Sequence, residues 1–231
     1  MIDTVIQSML STIAGINGKV EGAFNLRENG QGVERYSTEN IKIVPKKDKP
    51  GIDIFIRPGT RGEQVHIPVV LTQSGLNDLV YNDFFIGEGA DVTIIAGCGI
   101  HNDGCDTTEH DGIHSFKIGK NAHIRYVEKH YGEGTGTGER VLNPTTIVDM
   151  DEGSSCEMEM VQIAGVSSTI RKTEANLGAN AKLLITERLM THDDQKADSD
   201  VVIHLNGAGS SAQVISRSVA KDRSSQMFHP I

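Results

Sequence analysis

The chain has 231 residues, enough for one large domain with a buried core, and carries 31 acidic against 22 basic side chains for a net charge of −9. That balance argues against a nucleic-acid backbone as the main partner, and the Lys46-Lys47-Asp48-Lys49 run is too short to reverse it. Three cysteines build no disulfide framework and fit a reducing cytoplasm, while 25 glycines, six prolines and no tryptophan predict short extended segments separated by glycine turns.

At the N-terminus, Ile2, Val5, Ile6, Met9, Leu10, Ile13 and Ile16 recur at helical spacing and predict a short amphipathic helix ended by Gly15 and Gly18. The segment lacks the basic start and unbroken apolar core of a signal peptide, and it is too short to span a bilayer. It is expected to pack on its own domain or on a partner. Residues 17–40, polar and glycine-containing, read as a connection. The expected division is thus 1–40 for helix and linker and 41–231 for the core, with IKIVPKK, IDIFIRPG and VHIPVVLTQ as extended pieces of the first coils.

From residue 84 one pattern recurs: an apolar strand end, a Gly/Asn/Asp-rich turn, a small residue and a second alternating strand. It reads FFIGEGADVTIIAG, FKIGKNAHIRYVEKH, VDMDEGSSCEMEMVQIAG, ANLGANAKLLITERLM and HLNGAGSSAQVISRSVA. The small residues Ala90, Ala122, Ser154 and Ala181 are spaced 32, 32 and 27 apart, with a fifth copy near Ser210 to Ala212. Self-similarity at this period is the mark of a solenoid. Two-residue alternation, as in Cys156, Met158, Met160, Gln162 and Ala164 on one face, makes it a solenoid of strands. The predicted fold is all-β, a β-helix with small residues at fixed corners. A propeller would want longer repeats and more aromatics.

Cys98, His101, Cys105, His110 and His114 fall within the run CGIHNDGCDTTEHDGIH, which the repeat places in a long corner loop between coils. Thiolate and imidazole are the ligands of zinc, iron and copper, and thiols carry sulfur. The spacing is no standard zinc-finger pattern, no HExxH occurs, and Asp111-Gly112 favours a turn between the last two histidines. Two readings stand: a loop binding iron, zinc or a nascent cluster, or relaying sulfur, against a Gly/Asp-rich corner with hydrogen-bonded or solvated histidines. Cys156 reads as a small core residue stacked inside a coil, with sulfur relay as the alternative. GEGTGTGE (132–139) lacks the P-loop lysine and leads into an extended segment, so it reads as a flexible connection rather than a phosphate cradle. THDDQKADSD (191–200) reads as a solvated acidic turn. No GxSxG occurs, and a carbohydrate enzyme would lack aromatic platforms.

The string GIHSFKIGKNAHIRYVEKHYGEGTGTGER, with HNDGC before it, and the later KTEANLGANAKLLITERLMT and VVIHLNGAGSSAQVISRSVAKD resemble the SufB/SufD family of iron–sulfur cluster assembly proteins. The likeness runs from about residue 84 to the end and is nearest to the shorter clostridial and archaeal SufB-like members. It implies a right-handed parallel β-helix with two long strands per coil. It also implies a cytoplasmic, non-catalytic scaffold that pairs with itself as a homodimer or with a SufB/SufD paralogue, and works with a separate SufC-type ATPase. Sulfur would come from a cysteine desulfurase or sulfur carrier, and a transient iron–sulfur cluster or iron would be the cargo. No nucleic acid or membrane partner is implied. Family members continue into coils with a Gly-x-Cys-x-Gly-His-like segment and ATPase-docking helices. Nothing here matches those, so a core fragment or a reduced member is expected. The alternative function is a metal-dependent enzyme using Cys98, His101, Cys105, His110 and His114.

Overall fold

The computed structural model describes residues 4–231, so Ile2 of the predicted helix lies outside the described residues. The helix forms as α1 (Thr4–Ala14) and stops where Gly15 takes a φ of +67° and donates its N–H to the Ser11 carbonyl. Within residues 17–40, read as a connection, lies an antiparallel hairpin of β1 (Ala23–Glu28) and β2 (Gln31–Tyr36). Its turn is Asn29-Gly30, both at positive φ, the residue pair whose twist suits a two-residue hairpin.

β3 (Ile41–Pro45) and β4 (Gly51–Ile56) make a second antiparallel pair, followed by β5 (Arg61–His66) and β6 (Val69–Leu71). Then come the long strands β7 (Asn77–Ile86), β8 (Asp91–His101), β9 (Thr108–Ile118) and β10 (His123–Glu133). The next coil is split into β11 (Arg140–Leu142) and β12 (Thr145–Met150), because Pro144 has no N–H to give the ladder. β13 (Ser155–Ala164), β14 (Ser168–Leu177), β15 (Lys182–Thr191), β16 (Lys196–Leu205), β17 (Ser211–Ala220) and β18 (Ser225–Pro230) complete the chain.

From β7 onward the chain alternates between two parallel sheets. Sheet A runs β17-β15-β13-β10-β8-β5-β1-β2 and sheet B runs β18-β16-β14-β11-β9-β7-β4-β3, with β6 joining the first and β12 the second. The result is the predicted β-solenoid, about six turns of roughly 30-residue coils.

The corner turns explain the repeat. The small residue is the fourth of a tight turn: Ala90, Ala122, Ser154, Ala181 and Ser210 each donate N–H to the carbonyl three residues back. The residue before each one, Gly89, Asn121, Gly153, Asn180 or Gly209, sits at positive φ, which is why only Gly and Asn occupy it. Each of the first four positive-φ residues also donates N–H to a carbonyl in the next coil's turn, so the corners stack into a ladder. Ala90, Ala122, Ser154 and Ala181 are wholly buried, and a larger side chain there would push the corner out.

Inside, apolar and polar filling alternate along the strands. Near these corners the filling is apolar: Phe84 stacks on Phe116 with ring centroids 4.4 Å apart, and Ile94, Ile118, Ile124, Val148, Leu177 and Ile185 close around them. Further along the strands the inward positions turn polar, and toward the opposite corner Val69, Leu71, Cys98, Ile100, Leu142 and Val166 form a second apolar cluster. α1 lies outside, on sheet A. Gly97 and Gly99 give it room, since a Cβ on Gly97 would stand 2.6 Å from the Ile13 carbonyl oxygen and one on Gly99 2.6 Å from Met9 Cε. Met9 and Ile13 are fully buried there, each such side chain being worth about 1.5–3 kcal/mol.

Candidate functional site

The run 98–114 is not one corner loop. It comprises the end of β8, a turn at 102–107 and the first half of β9. The expected turn at Asp111-Gly112 does not form, because β7 pairs with β9 on one side and β11 and β12 on the other. Two satisfied ladders outweigh a local turn preference. Strand alternation then sends Thr108, His110, Gly112, His114 and Phe116 inward. The GEGTGTGE run is also not free: Cβ atoms on Gly134, Gly136 and Gly138 would stand 2.1–2.3 Å from the backbone oxygens of Asn102, Gly104 and Asp106. The two stretches are stacked backbone on backbone.

The five residues therefore separate. His101 is at the rim, its Nδ1 3.0 Å from Glu133 Oε1 and its Nε2 2.9 Å from Asp103 Oδ2. Burial lowers its pKa, but the hydrogen bonds to Asp103 and Glu133 outweigh this and raise it above the ordinary histidine value. Cys105 is exposed in the turn. Cys98, His110 and His114 share the solenoid interior, and all three are buried.

There Cys98 joins an apolar cluster with Val69, Leu71, Ile100, Leu142 and Val166, while the two histidines belong to a larger polar column. His114 Nδ1 lies 2.7 Å from the Tyr126 hydroxyl, which donates to Glu128 Oε1 at 3.1 Å. Since that hydroxyl proton is spent on Glu128, His114 donates from Nδ1, and its Nε2 accepts from Asn82 Nδ2 at 3.4 Å. The imidazole is thus neutral. Burial drives its pKa down to about 4, the Glu128 charge only partly opposing. Arg171 Nη1 donates to Glu128 Oε2 at 2.5 Å, and its Nε lies 3.4 Å from Glu187 Oε1. Ser199 and Ser216 each donate to Glu187 at 2.9 Å. Burial alone would protonate Glu128, but the charges of His130 and Arg171 hold its pKa well below the carboxylate range.

His110 forms the second branch. Its Nδ1 lies 3.0 Å from Asp78 Oδ2, and Asp78 also accepts from Arg27 Nη2 at 2.6 Å. Nδ1 donates to the carboxylate, and the other ring nitrogen, Nε2, is buried without a hydrogen-bond partner. It faces the gap over Gly112, where a Cβ would be 3.3 Å from His110 Nε2 and 3.4 Å from His114 Nε2. A carboxylate behind a histidine whose other nitrogen is free is how proteins orient a metal-binding imidazole. The hydroxyls of Thr146 and Thr173, in the same interior, are also buried without a partner.

Cys98 sits beside His130 in register, and His130 beside Gln162. Burial, then the charges of Glu128 and Asp78, raise the Cys98 thiol well above its ordinary value. Cys156 lies in the larger apolar cluster, next to Ile124 and Leu183 in register, and burial pushes it up to about 12. It is a core residue by position. Among the described residues, Asp198, Asp200 and His229 are the set whose ligand atoms already lie within 4.8 Å of one another, on the outer face of sheet B.

Asp78, Asn82, Tyr126, Glu128, His130, Arg171 and Glu187 were missed in the sequence. The signal was the coil length. Asp78 and His110, Asn82 and His114, and His130 and Gln162 are each 32 residues apart, the spacing of the first corner markers. Residues 79–230 match the family described as SUF system FeS cluster assembly, SufBD core domain. No curated protein matches the chain.

Proposed function

Because the chain belongs to the SufBD core domain family of the SUF system, we propose that it is a scaffold component of iron–sulfur cluster assembly that handles its cargo inside the solenoid. The observation carrying this reading is the buried Nε2 of His110, which has no hydrogen-bond partner and whose ring is oriented by Asp78, in the same interior as the buried Cys98 thiol. In the resting protein burial, aided by the carboxylates, keeps the thiol protonated. The same carboxylates favour an arriving Fe²⁺, whose charge turns the local electrostatics round so that the thiol ionises on binding. Metal binding of this kind releases the thiol proton. His101 and Cys105, at the surface, would serve entry rather than holding.

The sequence has no phosphate-cradling motif, so a separate SufC-type ATPase is the proposed energy source. A second copy or a SufB/SufD paralogue, and a cysteine desulfurase or sulfur carrier, are the other proposed partners. The test is anaerobic reconstitution with ferrous iron and sulfide. Wild type and Cys105→Ser should gain sulfur-to-iron charge-transfer absorbance, while Cys98→Ser and His110→Gln should lose most of it. Absence of that absorbance in wild type, or its persistence in Cys98→Ser, contradicts the reading. Tight stoichiometric zinc on the same residues would point instead to a metalloenzyme or structural metal.

A further inference from the structure

A cavity of about 340 Å³ opens at the first coils, between the β1–β2 hairpin and the β3–β4 pair. Its floor is apolar, with Ile52, Val69 and Val80, and its walls carry four cations: Arg27, Arg35, Lys46 and Lys49. No Asp or Glu lines it, although acids outnumber bases 31 to 22 in the chain. Two of the cations are matched from behind. Arg27 is held by Asp78, and Lys46, its side chain only 6% exposed, by Asp53 and Asp83. The other two pair with no carboxylate among the described residues. Arg35 donates from Nε to Asn25 Oδ1 at 2.7 Å, which leaves its terminal nitrogens without a carboxylate, and the Lys49 ammonium stands 4.2 Å from the Tyr81 ring centre.

We infer that this cavity is a binding site for a small molecule bearing two or more oxyanion groups. Four cations against three partnering carboxylates leave a net positive charge, and the carboxylates sit behind the cations rather than in the cavity. A guanidinium fork and an ammonium near each other suit phosphate or carboxylate oxygens, and the low-dielectric floor strengthens the attraction. The volume matches a compact multivalent anion rather than a polymer. Two lining residues also belong to the interior column, Arg27 through Asp78 and Asn82 through His114. A bound anion would therefore sit one residue away from His114 and two from His110, and the site needs no assumption about the scaffold role.

The test is calorimetric titration of the full chain at low ionic strength with inorganic pyrophosphate in one arm and citrate in the other. One or both should bind at one site, with affinity falling as salt rises. Arg35→Gln/Lys49→Gln alters two exposed side chains and should fold normally, with affinity reduced about tenfold or more. The control Lys120→Gln/Lys182→Gln, on other coils, should bind as wild type does. Pyrophosphate alone would mark a phosphoryl ligand, and citrate alone a polycarboxylate. Failure of both to bind, equal binding by the Arg35/Lys49 variant, or equal loss in the control overturns the inference.

Discussion

Arg171 is the side chain on which the interior charge balance turns. It is 4% exposed and lies between Glu128, 1% exposed, and Glu187, 8% exposed. Arg171→Met leaves both carboxylates without their cation and should cost about 3–5 kcal/mol. Glu128→Gln in the same background should restore part of that loss, a recovery that urea denaturation of the single and double variants would measure. His114 makes a separate prediction. It protonates near 6.5 when unfolded but only near about 4 when folded, so between those values the unfolded chain binds the extra proton. Stability from this group is complete above pH 6.5 and is lost as pH falls toward 4, by about 3 kcal/mol at most. Replacing it in His114→Gln should flatten the decline in urea midpoint between pH 7 and 4.5. An unchanged slope would mean that the imidazole is not held neutral.

At the scale of elements, α1 is a strap laid on two glycines rather than part of a coil. Gly97→Val should lift it, because the added methyls would occupy the space of the Ile13 backbone. Hydrogen exchange should then show α1 amides losing protection while β8 and β10, paired along eleven residues, keep theirs. Loss of protection in both would mean that the helix is integral to the coil. The helix itself was legible from its apolar spacing. The β1–β2 hairpin was not, although Asn29-Gly30 is a strong hairpin signal, because strands as polar as Gln31–Tyr36 show no inward face. Coils of nearly equal length made the solenoid readable, since turns in register impose Gly or Asn and then a small residue at a spacing near thirty. The same turn recurs before β7 at Gly59-Thr60, 30 residues before Ala90, but the strands around it are short and partly antiparallel, which hides the repeat.

For the whole molecule, the same register explains why only part of the candidate site could be read. Along the chain, five thiols and imidazoles crowd residues 98–114. In space, a solenoid makes neighbours of residues one coil apart, so Cys98 has His130 beside it in register, packs with Val69, Leu71, Ile100, Leu142 and Val166, and feels the charges of Glu128, Asp78 and Arg171. Crowding in sequence shows which side chains are close along the chain, not which are close in space. An interior filled partly with apolar side chains and partly with paired charges is costly unless the polar part has a use. Handling a charged cargo is such a use. The central claim is that the thiol inside the solenoid receives iron. Its most direct test is iron K-edge X-ray absorption on protein loaded anaerobically with one equivalent of Fe²⁺ and no sulfide. The account predicts a sulfur scatterer in wild type and Cys105→Ser that disappears in Cys98→Ser. An iron shell of oxygen and nitrogen alone, unchanged by Cys98→Ser and abolished by Asp198→Asn/His229→Gln, would place the metal on the outer face and contradict it.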